Sequence, residues 1–209
     1  MSENTWSSEK FEQMLGDSHK VELRVSKVFD DLKKPFSVLC LIEPKEYLSV
    51  KNGVLMNADK EKQSVIYITL NSGYKKILND LKTEKITIDE IHFIDMISSH
   101  SGVEATQKSN VSFLESPNDL SDCMLVLEKN LSSIKQKEIL LIVDSVSAML
   151  VYNDSSSIQK FVHAILAKTN SVKKASTILL SSDYNEKEDI TRTISQFVDK
   201  TIKLWKNEN

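Results

Sequence analysis

Asp144 is the residue whose neighbours best suit it to chemistry. It ends the apolar run Ile139 to Val143 and is followed by Ser145, Val146 and Ser147. A carboxylate in this position is the form that holds Mg²⁺ in phosphoryl-transfer sites. Such a site also needs a phosphate-binding loop, whose glycines let backbone N–H groups curl around phosphate oxygens and whose lysine neutralises charge. The chain has four glycines, at 16, 53, 73 and 102, and no two lie within fifteen residues of each other. Neither GxxxxGK[ST] nor GxGxxG can be formed. The segment Glu43 to Val50, after the first apolar run, offers Lys45 and Ser49 as stand-ins and otherwise reads as a solvated loop. A water-activating carboxylate is missing too: Asn71 and Ser72 follow Leu70, and they suit capping of the next helix. Asp144 is therefore expected to hydrogen-bond the following loop and to hold no ligand. Ser181, Ser182 and Asp183 read as another polar loop and cap.

Other chemistries find less support. No GxSxG elbow presents a serine nucleophile. His92 falls inside an apolar run, His100 in a polar stretch and His163 among helical apolar positions, so each reads as structural. Cys40 and Cys123 are the only cysteines, no CxxC occurs, and the four histidines are scattered; no metal site is expected. The net charge is −3 with pI about 5.9, and only Arg24 and Arg192 are arginines. A nucleic-acid partner is not expected, because sequence-reading contacts favour the arginine fork. The first residues lack the apolar core of a signal peptide. No apolar stretch approaches the ~20 residues that a membrane span needs. A cytoplasmic protein is expected.

The elements that must position these residues follow from hydrophobic periodicity. Apolar runs recur at Phe36–Ile42, Val65–Leu70, Ile91–Ile94, Val111–Leu114, Ile139–Val143 and Thr177–Leu180. They are continuous rather than alternating, which implies strands buried on both faces in a parallel sheet. Thr201 to Trp205 alternates and reads as an edge strand. Helical spacing appears over 6–34, where Gly16 to His19 can break the segment and Pro35 ends it. Ser116, Pro117 and Asp119 form a helix start ahead of the stripe Leu120, Met124, Leu127, Leu131 and Ile134. Asp154 or Ser155 can cap a helix that buries Ile158, Phe161, Val162, Ile165 and Leu166. Ile77, Leu78 and Leu81 mark a short helix after Gly73. Ile190, Ile194, Phe197 and Val198 mark the last one. Strands alternating with helices give a three-layer α/β/α fold.

Phe113 to Leu120, then Glu138 to Leu150, then Phe161 to His163 together resemble the KaiC-like domains of the RecA superfamily, in particular archaeal relatives that have lost their ATPase motifs. The resemblance spans about residues 35–205. It implies a RecA-like sheet and makes Asp144 and Ser145 the vestige of a Walker B segment. It aligns Phe36–Ile42 with the strand that feeds the phosphate loop, and Ile66–Asn71 with the strand that ends in a catalytic Glu.

The chain is accordingly expected to hold a helical extension at 1–34 and an α/β domain at 35–209. Its expected function is non-catalytic, through protein partners in regulation, signalling or assembly, with no cofactor and with homo-oligomerisation as the resemblance implies. The alternative is a nucleotide-binding protein with ATP and Mg²⁺ around Lys45, Ser49 and Asp144. The N-terminal helices, with Trp6, Phe11 and Phe29, are either a partner surface or a cover for the sheet.

Overall fold

The computed structural model describes residues 16–102, 109–135, 137–182 and 188–204. In chain order they form α1 (Asp17–Asp30), β1 (Ser37–Ile42), a 3₁₀ turn (Pro44–Glu46), α2 (Tyr47–Lys60), β2 (Ser64–Thr69), α3 (Tyr74–Thr83), β3 (Ile91–Asp95) and β4 (Val111–Phe113). There follow α4 (Leu120–Ser133), β5 (Ile139–Asp144), α5 (Val146–Met149), α6 (Ser155–Asn170), β6 (Ala175–Ser182), α7 (Glu188–Ile194) and β7 (Lys200–Leu204). Trp6, Phe11, Met14, Leu15, Asp183 and Trp205 lie outside the described residues.

The seven strands form one sheet in the order β4-β3-β2-β5-β6-β1-β7, and every pairing is parallel. The expectation of a mostly parallel, three-layer fold is met, and β7 is an edge strand as its alternation implied. Successive side chains of a strand point to opposite faces. Val38, Cys40, Tyr67, Phe93, Ile142 and Leu180 therefore pack with α1, α2 and α3. Leu39, Leu41, Ile66, Ile68, Leu141 and Val143 pack with α4, α5, α6 and α7. This double burial explains why the strands β1, β2 and β5 are apolar without interruption. The two cysteines are buried in these layers, one on each side; burial pushes the Cys40 thiol up to about 12.

Three helix boundaries differ from the sequence expectation. Segment 43–50 is not a loop. Pro44 opens a 3₁₀ turn that runs directly into α2, and Val50, Lys51, Asn52, Gly53, Val54, Leu55 and Ala58 of that helix are buried. Covered on several sides, α2 carries no clean apolar stripe for periodicity to find. Helix α4 starts at Leu120, because Ser116 to Asp119 closes on itself as a turn: the Ser116 N–H donates to the Asp119 carboxylate at 3.0 Å. Helix α7 ends at Ile194, which leaves Phe197 and Val198 beyond it; Phe197 packs its ring edge against His163. The Asp154 cap is where the sequence put it, accepting from the Ser157 N–H at 2.9 Å.

Helix α1 begins directly after Gly16 and lies against α2, with Val21, Val25 and Phe29 in the same buried layer as the strands. Gly53 makes this contact possible. A Cβ at that position would meet Val25 Cβ at 2.9 Å and Glu22 Cα at 3.2 Å. Gly53→Val should therefore force the two helices apart and lower the unfolding free energy by about 2 kcal/mol, within the usual range for overpacking. Urea unfolding followed by circular dichroism measures this; unchanged stability would mean the helices have room to spare.

Candidate functional site

In open α/β sheets ligands gather beyond the carboxyl ends of the strands. Here β5, β2 and β3 end in adjacent register on Asp144, Thr69 and Asp95. All three are buried, and their side chains point to the layer of α1, α2 and α3, as the alternation from Tyr67, Phe93 and Ile142 requires.

Asp144 is 1 % exposed. Its Oδ1 accepts the Tyr47 hydroxyl and its Oδ2 the Tyr67 hydroxyl, each at 2.5 Å. These are charge-assisted O–H···O⁻ bonds at the short end of their range. Tyr47 opens α2 and Tyr67 lies on β2, so one carboxylate ties the helix after β1 to two strands. The expectation that Asp144 bonds the following loop is corrected: its side chain turns to Tyr47 and Tyr67. Its carbonyl, meanwhile, accepts the Leu70 and Asn71 N–H groups at 2.7 and 3.1 Å. The Asp144–Ser145 peptide is cis. Ser145 caps α5 by accepting from the Ala148 N–H, and its hydroxyl lies 3.1 Å from that of Ser147. Ser147 in turn accepts from the Ser182 N–H at 3.0 Å, which joins the β5 exit to β6. Burial and the adjacent Asp144 charge hold both tyrosine hydroxyls well above the ordinary phenol value.

Asp95 was not singled out from the sequence, although it ends the run Ile91 to Ile94 just as Asp144 ends its own. Its Oδ1 accepts the Ile97 and Ser98 N–H groups at 3.1 and 2.9 Å. Its Oδ2 accepts the Tyr74 N–H at 2.8 Å and the Ser98 hydroxyl at 2.7 Å. Asp95 thus caps α3 from a neighbouring strand. Asn71 and Ser72 do not cap it: Gly73 occupies the cap position, and no side-chain bond is made there. A side chain on Gly73 would collide with the Ser98 hydroxyl, so the glycine is what lets that hydroxyl reach Asp95. Between the two carboxylates, the buried Thr69 hydroxyl has no hydrogen-bond partner among the described residues.

Lys45 and Ser49 do not join this arrangement. Lys45 is exposed and pairs with Glu43 at 3.0 Å; Ser49 is half-buried on α2. The other cations nearby are also matched to acids. Arg24 pairs with Glu46 at 2.6 Å, and the buried Lys51 with Asp80 at 2.8 Å. Among the described residues no cluster of three or more His, Cys, Asp or Glu side chains could hold a metal ion. No described helix is long and apolar enough to cross a membrane.

Residues 54–204 match a family of unknown function, DUF7504. No curated protein matches. Among solved structures, an uncharacterized protein of Pyrococcus horikoshii, PH0321, solved in complex with an unknown peptide, superposes with a TM-score of 0.67 at 11% identity, over 87% of this chain and 82% of that one. The KaiC-like protein PH0186 from the same organism gives a TM-score of 0.46 at 12% identity, over 74% of this chain and 67% of that one. The first likeness is one of fold: a three-layer α/β domain around a parallel sheet.

The phenol pair makes stability depend on alkaline pH. A group whose folded pKa is raised contributes stability that is complete below its unfolded pKa, about 10 for tyrosine, and is lost as pH rises beyond it. Only the unfolded chain then releases the protons, so each phenol adds a fall of about 1.4 kcal/mol per pH unit. Tyr67→Phe should flatten the decline between about pH 10.5 and 11.5 by that amount. Equal slopes for the two proteins in denaturant titrations would contradict the assignment.

Proposed function

Because the chain belongs to DUF7504, a family whose name fixes no activity, we propose its function from the site itself: a non-catalytic RecA-like module that acts by binding a protein partner, in regulation or assembly. The observation that carries this reading is the occupancy of Asp144. Both its oxygens already accept phenol hydroxyls, from the part-buried Tyr47 and the buried Tyr67. A water-bridged Mg²⁺ there would have to displace or distort two charge-assisted hydrogen bonds.

The exit of β1 supports the same reading. Nucleotide phosphates are held by successive backbone N–H groups in a glycine-rich loop. This exit contains Pro44, which has no N–H, flanked by Glu43 and Glu46, whose negative charge opposes a phosphate. Lys45 and Arg24 are paired with those two acids. The Asn71 and Ser72 pair after β2 supplies no base for water. The PH0321 structure was solved with a peptide, which agrees with a fold of this shape serving as a binding module.

Isothermal titration with ATP and Mg²⁺ tests the proposal. No saturable heat is expected up to about 1 mM nucleotide, the weak end of ordinary affinities. Saturable binding that Lys45→Ala abolishes would overturn it and favour a nucleotide site around Lys45, Ser49 and Asp144. Lys45 is exposed, so that variant should fold and the outcome is readable.

A further inference from the structure

Resting on the reading of the chain as a binding module, we infer that the exposed face of α3 is a docking surface and that its occupant is an acidic segment of a partner protein.

Helix α3 buries Tyr74, Ile77 and Leu81 in the layer it shares with α1 and α2. Its outer face carries Lys75, Lys76, Asn79, Lys82 and Thr83, all exposed, and the exposed Lys85 follows directly after the helix. Other lysines of this layer are matched to acids. Lys51 pairs with Asp80 at 2.8 Å, Lys60 with Asp30 at 2.9 Å and Lys62 with Asp59 at 3.0 Å. Lys75, Lys76, Lys82 and Lys85 have no hydrogen bond or ion pair among the described residues. The acids of the same segment do not serve them: Asp80 is held by Lys51, and Glu84 lies past the last turn. A chain of net charge −3 thus presents a cationic face at this helix.

The placement runs against the needs of the helix. Backbone N–H groups leave partial positive charge at a helix start, so acids suit the first turn and cations do not. α3 has no acid there and has Lys75 and Lys76 instead. A local rule broken with no return inside the fold marks a position kept for function.

Charge complementarity selects the occupant. Lys75 and Lys82 lie two turns apart on one side of the helix, about 10 Å along its axis. Carboxylates at that spacing engage both. A single exposed ion pair adds little, so several must form together. A helix that lies on a membrane needs exposed apolar side chains beside its lysines, and this face has none. A nucleic-acid surface uses arginine forks and aromatic platforms; Lys75, Lys76, Asn79, Lys82 and Thr83 supply neither.

The test uses the fluorescein-labelled peptide Glu-Glu-Ala-Glu-Glu-Ala-Glu-Glu and its counterpart with Gln in place of Glu, with full-length protein and fluorescence anisotropy. The acidic peptide should bind with a Kd below about 1 mM, and the neutral one should bind at least about ten-fold more weakly. The double variant Lys75→Glu, Lys76→Glu should weaken binding of the acidic peptide by roughly ten-fold or more. It should also keep its urea midpoint, because acids suit the first turn. The control is Lys173→Glu, Lys174→Glu, which makes the same charge change at two exposed lysines before β6; it should change binding by less than about two-fold. Equal weakening by the two variants overturns the inference, since binding would then follow net charge and not α3. A lowered urea midpoint in the α3 variant also overturns it, because the lysines would then serve the fold. So does tighter binding of single-stranded oligothymidine or of phosphatidylserine vesicles than of the acidic peptide, which would give the face to a nucleic acid or a membrane. The parent reading fails separately, by saturable ATP binding. A chain that takes neither ATP nor the acidic peptide loses only the α3 surface.

Discussion

The carboxyl end of this sheet is organised around a buried anion that two phenols satisfy. A carboxylate taken from water into a protein interior is unfavourable unless donors replace its hydration. Asp144 receives them from Tyr47 at the start of α2 and from Tyr67 in the middle of the sheet. Those hydroxyls need the anion as much as it needs them, because a buried phenol without an acceptor is itself costly. The three groups hold one another, and the direction of the chain after β1 follows from their agreement. Tyr47 can reach Asp144 only if β1 turns at once into a helix, which leaves no length for a loop that could wrap a phosphate.

Asp95 repeats the solution two strands away with different donors. It takes three backbone N–H groups and one hydroxyl, and so closes the start of α3 and the turn after β3. At the two places where an α/β sheet would offer carboxylates to a ligand, the protein's own donors are in place. The salt bridges around β1 and α2 continue the pattern, with each nearby cation beside an acid.

The strands were legible in the sequence because burial on both faces leaves nothing polar to interrupt runs such as Ile139 to Val143. Helices α3 and α6 were legible because one face stays wet, so Ile158, Phe161, Val162 and Ile165 recur at helical spacing. α2 was not legible, for the opposite physical reason. It is packed under α1 and beside α3 over the sheet, and its buried positions include Lys51, Asn52 and Gly53, which composition alone assigns to surface. Asp144 stood out as an acid after an apolar run; the same signal was present at Asp95 and could have found it. Neither tyrosine could be assigned to Asp144 from sequence. The partners lie 97 and 77 residues away, and only the sheet order brings β2 beside β5 and the start of α2 above them.

The central claim is that Asp144 is kept for the fold rather than for a ligand, and unfolding of Asp144→Ala in urea at neutral pH tests it most directly. The phenols of Tyr47 and Tyr67 would lose their acceptor, and a loss of about 3 kcal/mol is expected. A carboxylate retained for ligand chemistry is often a burden on the folded state, and removing it tends to raise stability. An Asp144→Ala protein as stable as the wild type, or more so, would contradict the account.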